Sequence, residues 1–152
     1  MINYVKGDAT SPIGKGNKII THICNDHGGW GAGFVLALSK KWSAPEKAYR
    51  SLGSNIQLGR VQYIKLEKEN ITVANMIAQH NFVSKDNPVA VRYDALEKCL
   101  NDVSEKAKLE NASIHMPRIG CGLAGGKWEK VEEIINKTLV ANGVDVYVYD
   151  FD

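Results

Sequence analysis

Two glycine-rich segments carry the residues whose types and spacing suggest chemistry. In the first, ICNDHGGWGAGF at residues 23–34, four of six consecutive positions are glycine. Glycine loses more chain entropy on folding than any other residue, so four glycines this close together indicate a structural or functional requirement for them. Glycines let the backbone turn sharply and present free N–H groups, and a helix starting near Phe34 adds the positive end of its dipole. A plain turn needs only one or two glycines, so four of them favour an anion-binding loop.

The second segment, RIGCGLAGGKW at residues 118–128, again leads from a predicted strand into a predicted helix. A single helix start can hold one phosphate, whereas two such loops suit a diphosphate held from both sides. We therefore expect the two loops to clamp a ligand that contains a diphosphate.

The second segment also contains a G-x-G-x-x-G pattern, formed by Gly120, Gly122 and Gly125, with Asp150 at the end of the next predicted strand. This pattern is typical of Rossmann dehydrogenases. The fingerprint normally opens that fold, whereas here no second mononucleotide half is expected after it, so a nicotinamide-dependent oxidoreductase is the disfavoured alternative. A P-loop is excluded because the Gly126–Lys127 pair precedes tryptophan instead of Ser or Thr.

Asn25, Asp26 and His27 are adjacent just before the first glycines and are candidate catalytic residues. Hydrolysis needs a group that takes a proton from water or donates one to the leaving oxygen, and a carboxylate beside an imidazole divides these roles. The alternative is that Asp26 and His27 are solvated loop residues without a catalytic role. His80, after another predicted strand, is the next candidate, while His22 is interpreted as a residue of the core or of the site wall.

The elements that must position these loops alternate between strand and helix. β-Branched runs predict strands, apolar residues at helical spacing predict helices, and Asp94 with Glu97 has the form of a capping box. Gly53 is expected to end the first helical region. The predicted strands span residues 2–6, 18–24, 61–66, 71–77, 113–117 and 144–150, and the predicted helices 34–52 (broken near Ser43), 94–110 and 128–143. A charged turn at 67–70 makes the third and fourth strands a hairpin. The sum is a three-layer α/β domain, a mixed sheet with helices on both faces.

Length and composition limit the class of protein. The 152 residues, 44% of them hydrophobic and 24% charged, fit a single domain with one core. A net charge of +2, scattered along the chain, disfavours a nucleic-acid partner. Three cysteines without C-x-x-C spacing argue against a structural metal or a disulfide framework and favour a reducing compartment. No targeting segment or membrane span is expected, and we predict a cytoplasmic monomer.

Four motifs together resemble the macrodomain family: YVKGDAT near the start, HICNDHGGWGAGFVLAL, ANMIAQH and MPRIGCGLAGGKW. The resemblance extends over essentially the entire chain, so residues 1–152 are predicted to be one macrodomain. It is nearest to the branch that includes terminal ADP-ribose protein glycohydrolase and the yeast ADP-ribose 1″-phosphate phosphatase. It implies a mixed sheet between helices and an ADP-ribose ligand in a cleft across the strand ends. No cofactor is expected.

The same resemblance implies roles for individual residues. Asp8 accepts a hydrogen bond from the adenine amino group, Ala9 contributes backbone, and Asn25 lies by the distal ribose, the sugar that carries no adenine. The first phosphate loop comprises Gly29, Trp30, Gly31, Ala32, Gly33 and Phe34. The second comprises Gly120, Cys121, Gly122 and Leu123. The remaining candidates for ligand contact are Gln79, His80 and Arg118.

Two positions depart from the glycohydrolase branch, which uses a lysine on the strand corresponding to NMIAQH and an aspartate after GCGL. Gln79 and Ala124 occupy these places here, so a lysine–aspartate mechanism is not expected. The expected function is ADP-ribose binding with hydrolysis at the distal ribose, of the ADP-ribose 1″-phosphate phosphatase or O-acetyl-ADP-ribose deacetylase type. The alternatives are a binding module without turnover and a hydrolase that removes ADP-ribose from protein or nucleic acid.

Overall fold

The computed structural model describes residues 1–66 and 69–151. Residues 67 and 68, in the turn predicted between the third and fourth strands, and residue 152 lie outside the described part. The strands are β1 (Ile2–Lys6), β2 (Lys18–Asn25), β3 (Val61–Leu66), β4 (Ile71–Gln79), β5 (Ser113–Met116) and β6 (Val146–Asp150). The α-helices are α1 (Phe34–Lys41), α2 (Ala44–Arg50), α3 (Tyr93–Glu110) and α4 (Trp128–Thr138). Within this described part, none of the helices is long and apolar enough to cross a bilayer.

The strands form a mixed sheet in the order β1-β6-β5-β2-β4-β3. Every neighbouring pair is parallel except β3 and β4, which form the predicted antiparallel hairpin. In that hairpin, Val61 lies opposite Met76 and Leu66 opposite Ile71. Parallel strands need crossover connections, and helices provide most of them, which explains the alternation seen in the sequence.

The sheet separates two apolar clusters, as neighbouring residues of β2 illustrate. Ile19 packs in the cluster beneath α3 and α4, and Ile20 in the cluster beneath α1 and α2. This division arises because successive side chains of a strand point to opposite faces. Leu100 of α3 and Leu38 of α1 are fully buried against these two faces. The predicted three-layer α/β fold with a mixed sheet is therefore confirmed.

Three local predictions about helix ends are wrong. The helix predicted over 128–143 ends at Thr138, and a separate 3₁₀ turn follows at Val140–Asn142. Asp94 lies inside the first turn of α3, where its Oδ1 accepts the N–H of Ala95 at 2.9 Å. The N-cap residue is Arg92, which makes no side-chain cap hydrogen bond, so there is no capping box. α2 ends at Arg50, and Gly53, with φ of +54°, begins a short 3₁₀ turn instead of capping the helix.

The five mutually parallel strands place their carboxyl ends along one edge of the sheet, which we call the carboxyl edge. The loops after β1, β2, β4 and β5 and the residue after β6 meet there. A bulge between Cys24 and Asn25 sets Asn25 opposite Gln79, the last residue of β4, which extends two residues beyond its predicted end. Ligands of open α/β sheets bind at this edge, so the fold places the candidate residues where a site is expected.

Candidate functional site

Three cavities lie side by side along the carboxyl edge. We call them the β1-side, central and β4-side cavities, and their volumes are about 270, 220 and 270 Å³. The first two share the walls Gly33, Phe34 and Pro117. The last two share the walls Ile23, Ala32, Val35, Gln79 and Leu123. The three cavities therefore form one continuous cleft.

The two glycine loops predicted to form a clamp meet across this cleft. An ideal Cβ on Gly33 would lie 3.1 Å from Cδ1 of Leu123, which places the two loops in close contact. Gly33 has φ of +81°, a conformation that residues with a side chain rarely adopt, and it caps the N-terminus of α1. Gly31 lines the β4-side cavity, and a Cβ there would meet no atom within 4 Å. A side chain at Gly31 would therefore meet no steric clash in this structure.

The β1-side cavity contains the predicted adenine-binding residues. Asp8 and Ala9 line it, together with the aromatic rings of Phe34 and Phe151. Oδ1 of Asp8 accepts hydrogen bonds from the backbone N–H of Thr10 at 2.8 Å and from its hydroxyl at 2.7 Å. These bonds fix the carboxylate at the cavity wall, and its Oδ2 has no hydrogen-bond partner among the described residues.

Asn25 lines the β4-side cavity and organises the loop that follows it. Its Oδ1 accepts the N–H groups of His27 at 2.9 Å and Gly29 at 3.0 Å. The hydroxyl of Tyr49 donates to the carbonyl oxygen of Asn25 at 2.5 Å and accepts the N–H of Gly28 at 3.1 Å. The backbone N–H groups of residues 27–29 are thus satisfied inside the protein.

Asp26 pairs with His80 instead of its sequence neighbour. Its Oδ2 accepts a hydrogen bond from Nδ1 of His80 at 2.7 Å, and its Oδ1 accepts the N–H of Asn81 at 2.8 Å. Partial burial raises the pKa of the Asp26 carboxyl, but the hydrogen bonds from Asn81 and His80 outweigh it and hold that pKa below its usual value. Asp26 is therefore ionised at neutral pH and ties the loop after β2 to the loop after β4.

His27 lies on the outer side of its loop. Its side chain is exposed, and its ring packs edge-on against Phe82 with the centroids 5.4 Å apart. Of the three residues predicted to be catalytic, only Asn25 lines the cleft. The catalytic roles of Asp26 and His27 stay predictions, and the structure pairs Asp26 with a different imidazole from the one expected.

The family model of the Macro domain matches residues 21–135, which is more than half of the chain. The chain belongs to the macrodomain family. A solved structure of a protein of unknown function from Bacteroides thetaiotaomicron is 53% identical, covers 99% of this chain and 98% of its own, and has a TM-score of 0.94. A macrodomain protein from Streptomyces coelicolor is 46% identical, covers 99% of both chains and has a TM-score of 0.86.

This macrodomain is also similar to curated proteins. The ADP-ribose 1″-phosphate phosphatase of Candida albicans is 30% identical, over 90% of this chain and 93% of its own length. The chromodomain-helicase-DNA-binding protein 1-like of Mus musculus is 34% identical over 99% of this chain. This chain spans only 18% of the length of that mouse protein. The family resemblance predicted from the four motifs is confirmed.

Arg118 of this macrodomain lines the central cavity, but its charge is already balanced. Its Nε donates to Oδ1 of Asp150 at 2.6 Å and its Nη2 to Oδ2 at 3.0 Å. The guanidinium also lies 5.0 Å from the ring centroids of both Tyr4 and Trp128. The hydrogen bond between them lowers the pKa of Asp150 and raises that of Arg118. Arg118 therefore pairs with an acid in this structure, and its predicted contact with the ligand stays a prediction.

The positions that depart from the glycohydrolase branch also face the cleft. Gln79 lines both the central and the β4-side cavity, and its Nε2 donates to the carbonyl oxygen of Asn81 at 2.8 Å. Ala124 lines the central cavity and carries no polar group. Cys121 lines the same cavity, and burial raises the pKa of its thiol, so it is a small neutral residue there. His80 makes its contact with Asp26 outside the cleft lining.

His22 lies in the wall of the central cavity and is only 2% exposed, which agrees with its interpretation as a wall residue. Its Nε2 is 2.5 Å from Oδ1 of Asn75. The Nδ2 of Asn75 donates to the carbonyl oxygen of Pro45 and to Oε1 of Gln62, both at 3.1 Å. Oδ1 of Asn75 is therefore the acceptor, and Nε2 of His22 carries the proton. Burial lowers the pKa of His22 to about 4, and its Nδ1 has no partner among the described residues.

The sequence reasoning missed several residues of the site, among them Phe151 in the β1-side cavity. Phe82 and Val83 line the β4-side cavity, and Tyr49 of α2 anchors the loop after β2. Phe82 and Val83 had a usable signal, because they directly follow the end of a parallel strand, where ligands bind. Tyr49 had none, because its contact with Asn25 depends on how α2 packs on the sheet.

Proposed function

We propose that this macrodomain binds ADP-ribose in the cleft. The observation that carries the proposal is the continuity of the three cavities, with the two glycine loops meeting at the middle. ADP-ribose has a matching order of parts: an adenosine, a diphosphate and a second ribose. The name of the Candida albicans relative supports a ligand of this class.

The residues favour one orientation of this ligand. Adenine lies in the β1-side cavity, where Oδ2 of Asp8 accepts from the exocyclic amine and the rings of Phe34 and Phe151 contact the base. The diphosphate lies in the central cavity, near the N-terminus of α1 and between the two glycine loops. The distal ribose then reaches the β4-side cavity beside Asn25 and Gln79.

We further propose that the protein hydrolyses an ADP-ribose derivative at the distal ribose. The candidates are ADP-ribose 1″-phosphate and an O-acetyl ester, since both place the reacting bond beside Asn25. Holding both ends of the substrate supplies much of the rate, so the protein need only orient water and move one proton. The candidates for that proton transfer are Asp26 with His80 or with His27, and they would act through the oriented water, because none of the three lines the cleft.

A binding module without turnover is the second candidate. The observation that favours it is that both carboxylate oxygens of Asp26 are engaged and that neither Asp26 nor His27 lines the cleft. Removal of ADP-ribose from glutamate-modified protein is less favoured, because Gln79 and Ala124 supply neither a lysine nor an aspartate at the wall of the central cavity.

The binding proposal is tested by calorimetry with ADP-ribose on the wild type and on Gly31→Val. The added side chain points into open space in the free protein, so the variant should fold and keep its melting temperature. In the complex it occupies the cleft, and affinity should fall at least about tenfold, or roughly 1.4 kcal/mol. Gly31→Ala is the matched control with the smaller side chain. Equal affinity in all three proteins would contradict the proposed pose.

Turnover separates the two candidate functions. The wild type should release phosphate or acetate from the corresponding ADP-ribose derivative, and should act much more weakly on ADP-ribosylated glutamate. If ADP-ribose binds and no derivative is turned over, the binding module takes the place of the hydrolase.

A cytoplasmic monomer remains our proposal for location and assembly. The support for the location is that Cys24, Cys99 and Cys121 are all free thiols, as is usual in a reducing compartment. The assembly is tested by light scattering.

A further inference from the structure

Residues 7–13, which follow β1 and which we call the post-β1 segment, form one wall of the β1-side cavity. Gly7, Asp8 and Ala9 of this segment line the cavity. Phe34 and Ala37 of α1 line it as well. The space available to a ligand in this cavity therefore depends on how the post-β1 segment is held relative to α1.

Both ends of the post-β1 segment are held on strand β6. The backbone N–H of Gly7 donates to the carbonyl oxygen of Asp150 at 3.1 Å, and the N–H of Ile13 donates to the hydroxyl of Tyr149 at 2.9 Å. Between these points, the N–H of Ser11 donates to the carbonyl oxygen of Asp8 at 2.9 Å and closes a turn. These bonds fix the segment to the sheet, but none of them joins it to α1.

Lys41, the last residue of α1, makes that connection. Its Nζ donates to the carbonyl oxygen of Thr10 at 2.8 Å and also donates to the hydroxyl of Ser11. A lysine ammonium has three donors and no acceptor, so these two oxygens are suitable partners for it. In the described part of the chain, no other side-chain hydrogen bond joins α1 to the post-β1 segment.

Thr10 connects Lys41 to the carboxylate of Asp8. The N–H and the hydroxyl of Thr10 donate to Oδ1 of Asp8, while the carbonyl oxygen of Thr10 accepts from Lys41. Thr10 is only 2% exposed, so its neighbours leave it little room to move. The position of Oδ2 of Asp8 is therefore set by Lys41 through Thr10.

We infer that Lys41 is a positioning residue for base recognition, because it holds the free oxygen of Asp8 in place relative to α1. This inference rests on the proposed function, since it assumes that adenine lies in the β1-side cavity. Lys41 does not line this cavity, so it acts through Thr10 and Asp8 and makes no contact with the base. Because Lys41 is exposed, removing its two hydrogen bonds should weaken adenine binding only about fivefold.

Calorimetry with two ligands tests this inference. The ligands are ADP-ribose and its purine analogue, in which a hydrogen atom replaces the exocyclic amine of the base. Lys41→Met removes the donors and keeps a side chain of similar length. It should lower the affinity for ADP-ribose about fivefold and leave the affinity for the purine analogue unchanged within about twofold, so the preference for ADP-ribose decreases.

Two further variants control this measurement. Lys41→Arg keeps donors at this position and should retain the wild-type preference for ADP-ribose. Lys40→Met removes the same charge from the neighbouring residue of α1, whose side chain makes no hydrogen bond among the described residues, and should also retain it.

Equal losses for both ligands in Lys41→Met would overturn the inference, because a charge effect on the diphosphate acts on both ligands alike. A loss of preference in Lys40→Met, or in Lys41→Arg, would overturn it as well. In each case the proposed function stands if the wild type binds ADP-ribose and Asp8→Asn removes the preference. Failure of the wild type to bind ADP-ribose would overturn both.

Hydrogen exchange in the free protein provides a readout that needs no ligand. The backbone N–H groups of Thr10 and Ser11 both donate to Asp8. Their exchange should become about fivefold faster in Lys41→Met and should stay unchanged in Lys40→Met, with β6 unaffected in both. Unchanged exchange at the two amides in Lys41→Met would overturn the positioning role.

Discussion

The side chains at the carboxyl edge differ in how many of their hydrogen bonds are already made. Oδ1 of Asn25, both oxygens of Asp26 and the guanidinium of Arg118 are engaged within the protein. Asp8 uses only Oδ1, in its bonds to Thr10. A ligand therefore finds a preformed acceptor at the β1 side, while the residues at the β4 side mainly shape the loops.

The free oxygen of Asp8 gives a prediction about base recognition. Asp8→Asn keeps an oxygen for the Thr10 bonds but puts an NH₂ group where Oδ2 was, so it cannot accept from the adenine amine. Affinity for ADP-ribose and for AMP should fall together by about tenfold, close to the 1–3 kcal/mol that an unmade buried hydrogen bond costs. Calorimetry with ribose 5-phosphate is the control. An equal loss for that sugar phosphate would indicate a different pose.

Individual site residues were partly readable from the sequence. Asn25 and Gly31 could be placed because they belong to the loop between a predicted strand and a predicted helix, and Asp8 because of the family resemblance; all three line the cleft. The pairing of Asp26 with His80 could not be predicted. The two residues are 54 positions apart, and they meet only because β2 and β4 are neighbours in the sheet.

At the level of elements, the loops after β2 and β4 form one unit. Asp26 donates its backbone N–H to the carbonyl oxygen of Gln79 at 2.9 Å and accepts from Asn81 and His80 through its carboxylate. Asn87 then donates to the carbonyl oxygens of His80 and Phe82 at 2.7 and 3.0 Å. These bonds hold in place the loop that carries Phe82 and Val83, which line the β4-side cavity.

Removing one of these hydrogen bonds should make the loop after β4 more mobile. In His80→Ala, the carboxylate of Asp26 loses one of its two hydrogen-bond partners. This hydrogen bond contributes about 1 kcal/mol, because the His80 side chain is about half exposed. Hydrogen exchange at the Asn81 amide should become about fivefold faster, with the strands of the sheet unaffected. His27→Ala is the matched control, because His27 contacts Phe82 without bonding to Asp26. Equal acceleration in both variants would show that Asp26 and His80 do not hold the loop.

The presence of each strand and helix was more predictable from the sequence than the residues at which it begins and ends. β-Branched runs and helical spacing identified the strands and helices, since these patterns report burial against the sheet. The N-cap of α3 at Arg92 and the 3₁₀ turn at Gly53 were not predicted. Such ends depend on tertiary contacts, for example the N–H of Lys127 donating to the hydroxyl of Tyr93, the first residue of α3.

Across the whole molecule, two histidines are buried in neutral form. His22 lies on the cleft wall, and His115 of β5 lies between Ser113 and Tyr149, with Nε2 2.8 Å from the Ser113 hydroxyl and Nδ1 2.7 Å from the Tyr149 hydroxyl. Burial lowers the pKa of each imidazole to about 4, helped at His115 by the charge of Lys18. Both lose a proton-binding site on folding.

The stability of the protein should therefore depend on pH. In the unfolded chain these imidazoles have a pKa near 6.5, so between pH 6.5 and 4 the unfolded state binds more protons. The contribution of these neutral histidines to the free energy of unfolding should be complete above about pH 6.5. It should decrease as the pH falls, by on the order of 2 kcal/mol per histidine at pH 5. Urea unfolding from pH 7 to pH 5 measures this loss.

A variant isolates one histidine in that measurement. His22→Gln keeps a donor for Asn75 but cannot titrate, so the proton uptake on unfolding between pH 6.5 and 4 should drop by about one. If the slope of the free energy of unfolding against pH is the same in His22→Gln and in the wild type, His22 is not responsible for the pH dependence.

The pairing of β1 with β6 has a consequence for how the protein is made. Asn3 donates to the carbonyl oxygen of Val146 across 143 residues, and β6 is the strand beside which β1 lies in the sheet. During synthesis the first strand must therefore wait, unpaired, until the last strand has emerged from the ribosome. The β1-side cavity, built from Gly7–Ala9 and Phe151, is then the last part of the cleft to assemble. An adenine-containing ligand bound there would join the two ends of the chain and slow any unfolding that begins by peeling β1 away.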